Sequence, residues 1–524
     1  MTERSKAIVV LTMNTLAFTV CFACWMLNGV LATFLVDNGV FAWNKAEIGW
    51  LIGIPVLTGS IMRLPVGVLT DRYGGRKVYA LLMLIAAVPT WLLGYATTYP
   101  QFLLASFGFG LSGASFAVGI AYSSIWFSKQ RQGLALGIFG AGNAGAAVTS
   151  LGAPVLLKYL TSGGTQVEQW RMLPRIYAIA LAVTAVVFFF ATFERKVSGA
   201  AEKTLRQRLA PLKEVRVWRF GLYYFFVFGG FVALSQWLIP YYLNVYAMSL
   251  ATAGLMASIF SLPSGVIRAL GGWVSDRIGA RAAMYWVLGA SLLCCFMLVI
   301  PRMDIQAPGP GVMAPAPGTV QSVSNGSIAL GKGSFALRTK PTDSVSLMHD
   351  PDALIWPRFE FWQEPIVKVG QQVKRKELLA RGITHVYFQA NVWIFTALVF
   401  ALGIAMGVGK AAVYKHIPEY FPSDVGVVGG IVGVLGGLGG FFGPIIFGYL
   451  LEGTGIWTTC WMFFLLLTAI CLVWMHLVVR KIMKASAPEL LHQIEHVAPA
   501  APASPLAERG SVTGEPVTVL GAAP

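Results

Sequence analysis

Two arginines lie inside long apolar stretches of this 524-residue chain, where an unpaired charge is unfavourable. Arg63 and Arg268 each begin the same spacing pattern, with Asp after 8 residues, Arg after 9, Gly after 11 and Arg after 13. The polar residues of the two repeats are Asp71, Arg72 and Arg76 in the first and Asp276, Arg277 and Arg281 in the second. The arginine fork of donors suits planar oxyanions. Because neither arginine has a nearby carboxylate in the sequence, the pair predicts a shared anion site between two related halves.

The composition indicates a polytopic membrane protein. Hydrophobic residues make up 56% of the chain, charged residues 12%, and the mean hydropathy is +0.67, whereas a soluble domain carries about 25% charged residues. The formal net charge of +16 is spread over short loops and forms no aromatic-interleaved patch of the nucleic-acid type. No grouping of nucleophile, base or metal ligands suggests an enzyme, and no cofactor or metal is expected.

Runs of about 20 apolar residues predict twelve membrane-spanning helices. They lie near residues 7–36, 46–70, 78–98, 101–127, 132–158, 173–193, 219–246, 250–275, 282–300, 390–416, 424–450 and 457–480. The fold class expected is therefore an all-α polytopic membrane protein. Its twelve transmembrane helices would form two six-helix bundles, with a small β-rich extracytoplasmic insert.

The distribution of Lys and Arg predicts the orientation of these spans. The outer short loops hold only Lys45, Lys158, Arg171 and Arg175, so both termini are expected in the cytoplasm. The expected domains are an N-terminal bundle (1–193), a cytoplasmic linker (194–218), a C-terminal bundle (219–300 and 389–482), an extracytoplasmic insert (301–388) and a disordered cytoplasmic tail (483–524).

The two arginines are expected near the middle of the bilayer. Arg63 precedes Asp71, at the cytoplasmic end of its helix, by 8 residues, or about 12 Å, against about 15 Å for half of the hydrocarbon core. Arg268 has the same spacing to Asp276. An alternative is that these arginines stabilise the bundle by binding backbone carbonyls or a distant acid. Asn143, within a glycine run, is a further candidate donor to an oxyanion.

Glycine runs occur in the fifth and eleventh predicted helices, which are equivalent in the two halves. Small residues allow helices to approach closely and to slide, although they could equally serve packing alone. The glycines of interest are Gly140, Gly142 and Gly145 in the first run and Gly433, Gly436, Gly437 and Gly440 in the second.

These motifs resemble those of a known family. Asp71-Arg72-Tyr73-Gly74-Gly75-Arg76-Lys77 is similar to the loop signature of the major facilitator superfamily. The runs 140–145 and 430–442 look like the two nitrate-signature motifs of its nitrate/nitrite porter family. The resemblance implies that Arg63 and Arg268 clamp nitrate or nitrite and that Asn143 contacts it.

Further features are implied by this resemblance. Phe116 and Phe228 match family aromatics that sandwich the flat anion, and Tyr224 matches a hydrogen-bonding tyrosine. The expected protein is a monomeric carrier in the bacterial inner membrane, whose partners are nitrate, nitrite and the lipid bilayer, with protons as a further candidate. The alternatives are a carrier of another small anion, such as a carboxylate, and an anion sensor that signals through the insert.

The expected mechanism is alternating access, in which one anion offsets the repulsion between the two arginines. The loops containing Asp71, Arg72 and Arg76, and Asp276, Arg277 and Arg281, would latch the cytoplasmic side. Nitrate/nitrite exchange needs no proton carrier, whereas proton symport does. Lys410, within an apolar helix, is the candidate for proton coupling, and its alternative is a structural or snorkelling lysine.

The insert has its own pattern. Its first part is rich in Pro, Gly and Ser, and residues 365–373 alternate apolar and polar side chains as short strands do. Residues 364–382 resemble part of a biotinyl/lipoyl-type β domain, although the lysine-bearing hairpin of that family is not evident. A structural decoration and a surface for a partner or ligand both remain open.

Overall fold

The chain folds mainly into helices. The structure is a computed structural model that describes residues 2–195, 210–300, 303–324, 326–331, 333–340, 358–388, 391–421 and 425–486. Most of the predicted linker and tail lies outside these ranges. The helices are α1 Glu3–Trp25, α2 Leu27–Asp37, α3 Lys45–Ile61, α4 Arg63–Tyr73, α5 Gly75–Leu93, α6 Tyr99–Phe109, α7 Ser115–Ser124, α8 Lys129–Gly140, α9 Gly145–Leu160, α10 Met172–Ala191, α11 Val215–Tyr224, α12 Gly230–Val245, α13 Leu250–Val266, α14 Arg268–Ile278, α15 Ala280–Leu298, α16 Val392–Tyr420, α17 Val425–Thr454 and α18 Thr459–Ser486.

Ten helical runs among the described residues are long and apolar enough to cross a membrane. They are Glu3–Asp37, Lys45–Tyr73, Gly75–Leu93, Tyr99–Ser124, Val167–Ala191, Val215–Val245, Ala280–Leu298, Val392–Ile417, Val427–Thr454 and Thr459–Lys481. Helix α13 is a shorter apolar helix. The protein is thus a multi-pass membrane protein, as its composition predicts.

The repeated sequence pattern produces a repeated local structure. Helices α3 and α13 both have 17 residues and contain a proline, and the 11-residue helices α4 and α14 begin directly at Arg63 and Arg268. The single residue between the paired helices has nearly the same backbone angles in both, φ −68° at Met62 and φ −64° at Ile267. Both second helices end at a glycine with positive φ, 90° at Gly74 and 86° at Gly279, a conformation that glycine adopts without strain.

Irregular helical turns lie beside the predicted site residues. A 3₁₀ turn covers Gly110–Ala114, just before Phe116, and another covers Ala141–Ala144, which includes Asn143. A π turn covers Phe225–Gly229 and follows Tyr224 directly. Such turns break the regular i to i−4 bonding and often mark functional positions. The regular α-helical bonding is therefore interrupted beside Phe116, Asn143 and Tyr224, which are predicted site residues.

The described part of the insert contains seven strands. They are β1 Met303–Met313, β2 Gly318–Val323, β3 Ser327–Leu330, β4 Gly333–Ala336, β5 Arg358–Pro365, β6 Gln372–Val373 and β7 Leu378–Phe388. One sheet has the order β1-β7-β5 and the other the order β4-β3-β2-β6, and every pair is antiparallel. Both sheets contribute to a small core that includes Val320, Ile328 and Leu379.

The Pro- and Gly-rich start of the insert is a strand. Pro308 pairs with Ile383 and Gly309 with Gly382 along β1 and β7, and the register shifts after Gly309. A side chain at Gly382 would overlap the backbone at Pro310, so the small residue allows close strand approach. Of the segment predicted as short strands, only Gln372–Val373 is extended beyond Pro365. Residues 341–357 of the insert lie outside the described residues.

Candidate anion site

The two predicted arginines lie around one aromatic ring. The guanidinium carbon of Arg63 is 5.2 Å from the centroid of Phe116, and that of Arg268 is 5.1 Å from the same centroid. The two carbons are therefore no more than about 10 Å apart. Both side chains are buried, with exposures of 3% and 8%. Phe116, which was predicted from the family resemblance alone, therefore contacts one arginine from each half.

Arg63 is held in place on one side and unpaired on the other. Its Nη1 donates to the carbonyl oxygen of Gly433 at 2.6 Å, and its guanidinium carbon lies 5.0 Å from the Phe228 centroid and 5.8 Å from that of Trp25. Its Nε and Nη2 are buried without a hydrogen-bond partner. Two donor nitrogens of this arginine, which carry three N–H groups, thus have no acceptor among the described residues.

Arg268 is surrounded by rings but has fewer polar contacts. Its guanidinium carbon lies 5.6 Å from the Tyr414 centroid, and its Nη1 is buried without a partner. A Cβ atom on Gly140 would lie 3.0 Å from its Cδ. Each arginine therefore meets the glycine run of the opposite half, Arg63 at Gly433 and Arg268 at Gly140.

Asn143 is fully buried, at 0% exposure. Neither Nδ2 nor Oδ1 has a hydrogen-bond partner. A buried polar group left unpaired is unfavourable by about 1–3 kcal/mol, and such groups are uncommon unless a ligand or water satisfies them. The amide is thus a further candidate donor from the N-terminal half.

The aromatic residues form a stack beside the arginines. The rings of Phe116 and Phe228 are 6.3 Å apart at 25°, and Tyr224 stacks on Phe228 at 5.0 Å and 4°. A flat anion in van der Waals contact with a ring on each side needs about 7 Å between them. The rings of Phe116 and Phe228 would therefore have to separate by roughly 1 Å to hold an anion between their faces.

Tyr414 was not predicted from the sequence. Its ring meets that of Tyr224 edge-on at 5.0 Å, and its hydroxyl donates to the carbonyl oxygen of Gly429 at 3.0 Å. It follows Lys410 by one helical turn on α16, a spacing that puts both on one face of the helix. Tyr414 could have been found from this spacing, because Lys410 had already been identified as a charged residue within the same apolar helix.

The signature glycines differ in what they contact. Gly140 and Gly433 adjoin the arginines, as described above. A side chain at Gly142 or Gly145 would overlap α1, one at Gly436 would overlap the Tyr224 ring, and one at Gly437 would overlap the Ser60 hydroxyl. A Cβ atom on Gly440 would lie 2.7 Å from Val232 and 3.0 Å from Val56. Most of these glycines thus permit close helix packing, and two also border the guanidinium groups.

Lys410 is a third buried cation. Its exposure is 0%. Its Nζ donates to the Ser264 hydroxyl at 3.2 Å and lies 3.4 Å from the Phe231 centroid. In the part of the chain that the structure describes, no ion pair involves Arg63, Arg268 or Lys410. Buried charges without partners are expensive, so this cluster has the electrostatics of an anion site.

The four arginines predicted to latch the cytoplasmic side make contacts within their own halves. Arg76 donates through Nε to the carbonyl oxygen of Phe189 at 2.7 Å, and Arg281 donates to the Tyr420 hydroxyl at 2.6 Å. Arg72 and Arg277 lie over the rings of Tyr73 and Trp273. The side chain of Asp276 lies outside the described residues. Among the described residues no group of three His, Cys, Asp or Glu side chains could hold a metal ion.

Comparison with known proteins agrees with this architecture. The family profile of the Major Facilitator Superfamily matches residues 13–329 and 378–520, and so omits most of the insert between them. Two solved structures share the fold: a bacterial homologue of the lysosomal transporter Spinster in an inward-facing and occupied conformation (TM-score 0.59, 14% identity, 90% of this chain and 96% of that chain) and the nucleoside transporter NupG (TM-score 0.54, 13% identity, 89% and 98%).

Curated relatives narrow the family. The chain is 38% identical over 497 residues to the "Probable nitrate/nitrite antiporter NarK1" of Thermus thermophilus, covering 94% of this chain and 96% of that protein. It is 23% identical over 448 residues to the "Nitrite extrusion protein" of Bacillus subtilis, covering 85% and 88%. The protein is a carrier rather than an enzyme. The predicted family is confirmed: the chain belongs to the nitrate/nitrite porter family of the major facilitator superfamily.

Proposed function

We propose that the protein carries nitrate and nitrite across the bacterial inner membrane by alternating access, with the anion held between Arg63 and Arg268. The observation that carries this proposal is the set of buried donors without partners on Arg63, Arg268 and Asn143. We call Arg63 and Arg268 the arginine clamp. The names of the relatives in Thermus thermophilus and Bacillus subtilis support nitrate and nitrite as substrates.

The clamp fits a small planar oxyanion. Guanidinium forks bind such anions with two parallel hydrogen bonds, and Arg63 keeps two free donors even while it is bound to Gly433. Asn143 would add an amide donor from a third helix. Phe116 and Phe228 would bound the anion on its flat faces, and the hydroxyl of Tyr224 would supply a further hydrogen bond.

The complete fold has twelve transmembrane helices in two bundles of six. The ten runs given above are completed by α8 to α9 (129–160) and by α13 to α14 (250–278). The bias of Lys and Arg towards one side supports cytoplasmic termini and an extracytoplasmic insert at 301–388. We propose a monomeric carrier, since one chain contains both clamp arginines.

Transport would proceed by rocking of the two halves around the clamp. Two guanidinium charges no more than about 10 Å apart repel each other by roughly 2 kcal/mol at an effective dielectric constant of about 20. A bound monovalent anion offsets this repulsion and favours closure. Gly437 packs closely on Ser60, and Gly254 packs closely on Ser150. These contacts between the halves involve no bulky side chain on the glycine side, so the helices can slide past each other. The loops with Asp71, Arg72 and Arg76, and with Asp276, Arg277 and Arg281, would close the cytoplasmic side.

The clamp supports nitrate/nitrite exchange without a proton carrier. Proton symport would need a group that titrates inside the bundle, and Lys410 is the candidate, since it can lose its proton without abandoning a carboxylate partner. Both modes are included in the proposal.

Counterflow in proteoliposomes tests the proposed function. Vesicles containing the full-length protein are loaded with nitrite, labelled nitrate is added outside, and pH and membrane potential are clamped. Rapid nitrate accumulation that formate and acetate do not compete away is the expected result. Uptake that appears only under an imposed proton gradient would establish symport instead of exchange. No nitrate flux under either condition, or equal flux of a carboxylate, would contradict the proposal.

A further inference from the structure

A second set of residues lies one helical turn from Tyr414, Arg268 and Phe228 of the candidate anion site. Lys410 precedes Tyr414 by four residues on α16, and Ser264 precedes Arg268 by four across the break after α13. Phe231 follows Phe228 by three. Each of these steps is about 4.5–6 Å along a helix. The three helices run so that all three steps lead the same way, towards residues 245, 250 and 392, which the proposed topology puts at the extracytoplasmic side.

These residues are in contact with one another. The Lys410 Nζ lies 3.2 Å from the Ser264 hydroxyl and 3.4 Å from the Phe231 centroid. All three are buried. The set repeats the chemistry of the clamp, with a cation, an aromatic face and a neutral polar group. We call Lys410, Ser264 and Phe231 the outer tier.

Polar groups without partners continue beyond the outer tier. Ser261 is one further turn outward from Ser264, and Ser235 is one further turn outward from Phe231. The hydroxyls of both serines are buried and have no hydrogen-bond partner. An ammonium group has three donors, and the protein satisfies one of those of Lys410, at Ser264. Unsatisfied hydroxyl groups therefore continue along α12 and α13 on the extracytoplasmic side of Lys410.

The charge of the buried cations also favours a second bound anion. Three buried cations lie in this part of the bundle, and no ion pair among the described residues neutralises them. One monovalent anion in the clamp offsets a single charge. A second anion at Lys410 would offset another, at a place where hydroxyl groups can complete its hydrogen bonds.

We infer that the outer tier is a second binding site for a small monovalent oxyanion, occupied before the anion reaches the arginine clamp from outside. This inference rests on the proposed function and extends it. The tier would raise the local anion concentration next to the clamp. It would also supply the incoming anion that displaces the outgoing one during exchange.

Kinetics measured from each side test this inference. Full-length protein in proteoliposomes of known orientation is assayed for labelled nitrate uptake from the extracytoplasmic and the cytoplasmic side. Loss of a hydrogen bond to a charged group corresponds to about tenfold or more in affinity. Lys410→Met and Ser264→Ala should therefore raise the extracytoplasmic KM about tenfold and leave the cytoplasmic KM within about twofold. Lys410→Arg, which keeps the charge, should be affected least.

The matched control is Lys415→Met, which removes a lysine of the same helix whose Nζ donates to the Ser275 carbonyl on the other side of Tyr414. It should leave the extracytoplasmic KM unchanged. The small Ser264→Ala change keeps the test valid if Lys410→Met fails to fold. Equal KM changes on both sides, or a loss of proton-driven uptake with an unchanged extracytoplasmic KM, would overturn the second site. Absence of nitrate flux in the wild-type protein would instead count against the proposed function itself.

Discussion

Arg63 and Arg268 occupy the same position in two copies of one motif, yet their surroundings differ. Arg63 donates to the Gly433 carbonyl at 2.6 Å and faces three aromatic rings. Arg268 faces two rings. Ser264, one helical turn before Arg268, accepts a hydrogen bond from Lys410. The duplication therefore fixes where the arginines lie, and the neighbouring helices decide how firmly each is held.

This difference suggests a division of labour between the halves. In the proposed cycle Arg63 is positioned before the anion arrives, because the Gly433 carbonyl restricts its fork. Among the described residues Arg268 is bounded by the rings of Phe116 and Tyr414 and by Gly140, so its long side chain would follow the anion as the halves rock. The third buried cation, Lys410, lies in the C-terminal half, as Arg268 does.

The largest expected effect is the loss of transport on replacing either clamp residue. Arg63→Lys and Arg268→Lys should each lower nitrate counterflow at least about 100-fold, because a lysine ammonium cannot supply two parallel donors. Initial rates in proteoliposomes, normalised to reconstituted protein, measure this. Arg175→Lys, at an arginine beside Tyr95 and away from the clamp, is the control and should keep full activity. Substantial transport by either clamp variant would remove that arginine from the site.

Stability should separate the two arginines. Both Arg63→Met and Arg268→Met relieve the burial of a charge, but among the described residues only the first also loses a hydrogen bond from a charged donor. Arg63→Met should therefore be less stable than Arg268→Met by about 1–3 kcal/mol in nitrate-free detergent. Thermal or denaturant unfolding of the purified variants tests the difference. Equal stabilities would mean that the Gly433 contact does not hold Arg63 in place.

The two glycines beside the arginines provide a subtler comparison. A Cβ atom on Gly433 would lie 3.0 Å from the Tyr414 hydroxyl and 3.6 Å from Nη1 of Arg63, whereas one on Gly140 would meet the flexible stem of Arg268. Gly433→Ala should raise the KM for nitrate about tenfold and Gly140→Ala about threefold, since a flexible side chain yields more readily than a restrained one. Gly152→Ala, where a Cβ atom has nothing within 4 Å, is the helical control. The reverse order of effects would argue that Arg268 is the restrained partner.

A comparably small effect is expected at Tyr414. Tyr414→Phe keeps the ring beside Arg268 and removes only the hydrogen bond to Gly429. A neutral hydrogen bond contributes about 1 kcal/mol, so the KM should change by no more than about fivefold. A loss comparable with that of the clamp variants would show that the hydroxyl itself binds the anion.

The sequence predicts those features that depend on local chemistry. The buried arginines in apolar runs, and the glycines repeated 11 residues after them, follow from spacing and composition. The positive φ of those glycines was not predicted. The contacts of Arg63 with Gly433 and of Arg268 with Gly140 do not, because they join helices far apart in the chain. Tyr414 and Trp25 were missed for the same reason. The strand through Pro308 and Gly309 was also hidden, since its composition is typical of a loop and only pairing with β7 makes it extended.

A structure of the protein with bound nitrate, determined beside a nitrate-free one, is the decisive test of the arginine clamp. We expect flat density between Phe116 and Phe228, within hydrogen-bond distance of both clamp arginines and of Asn143. We also expect the guanidinium of Arg268 to move more than that of Arg63 between the two structures. Nitrate bound away from the two guanidinium groups, or contacting only one half of the molecule, would rule out the arginine clamp.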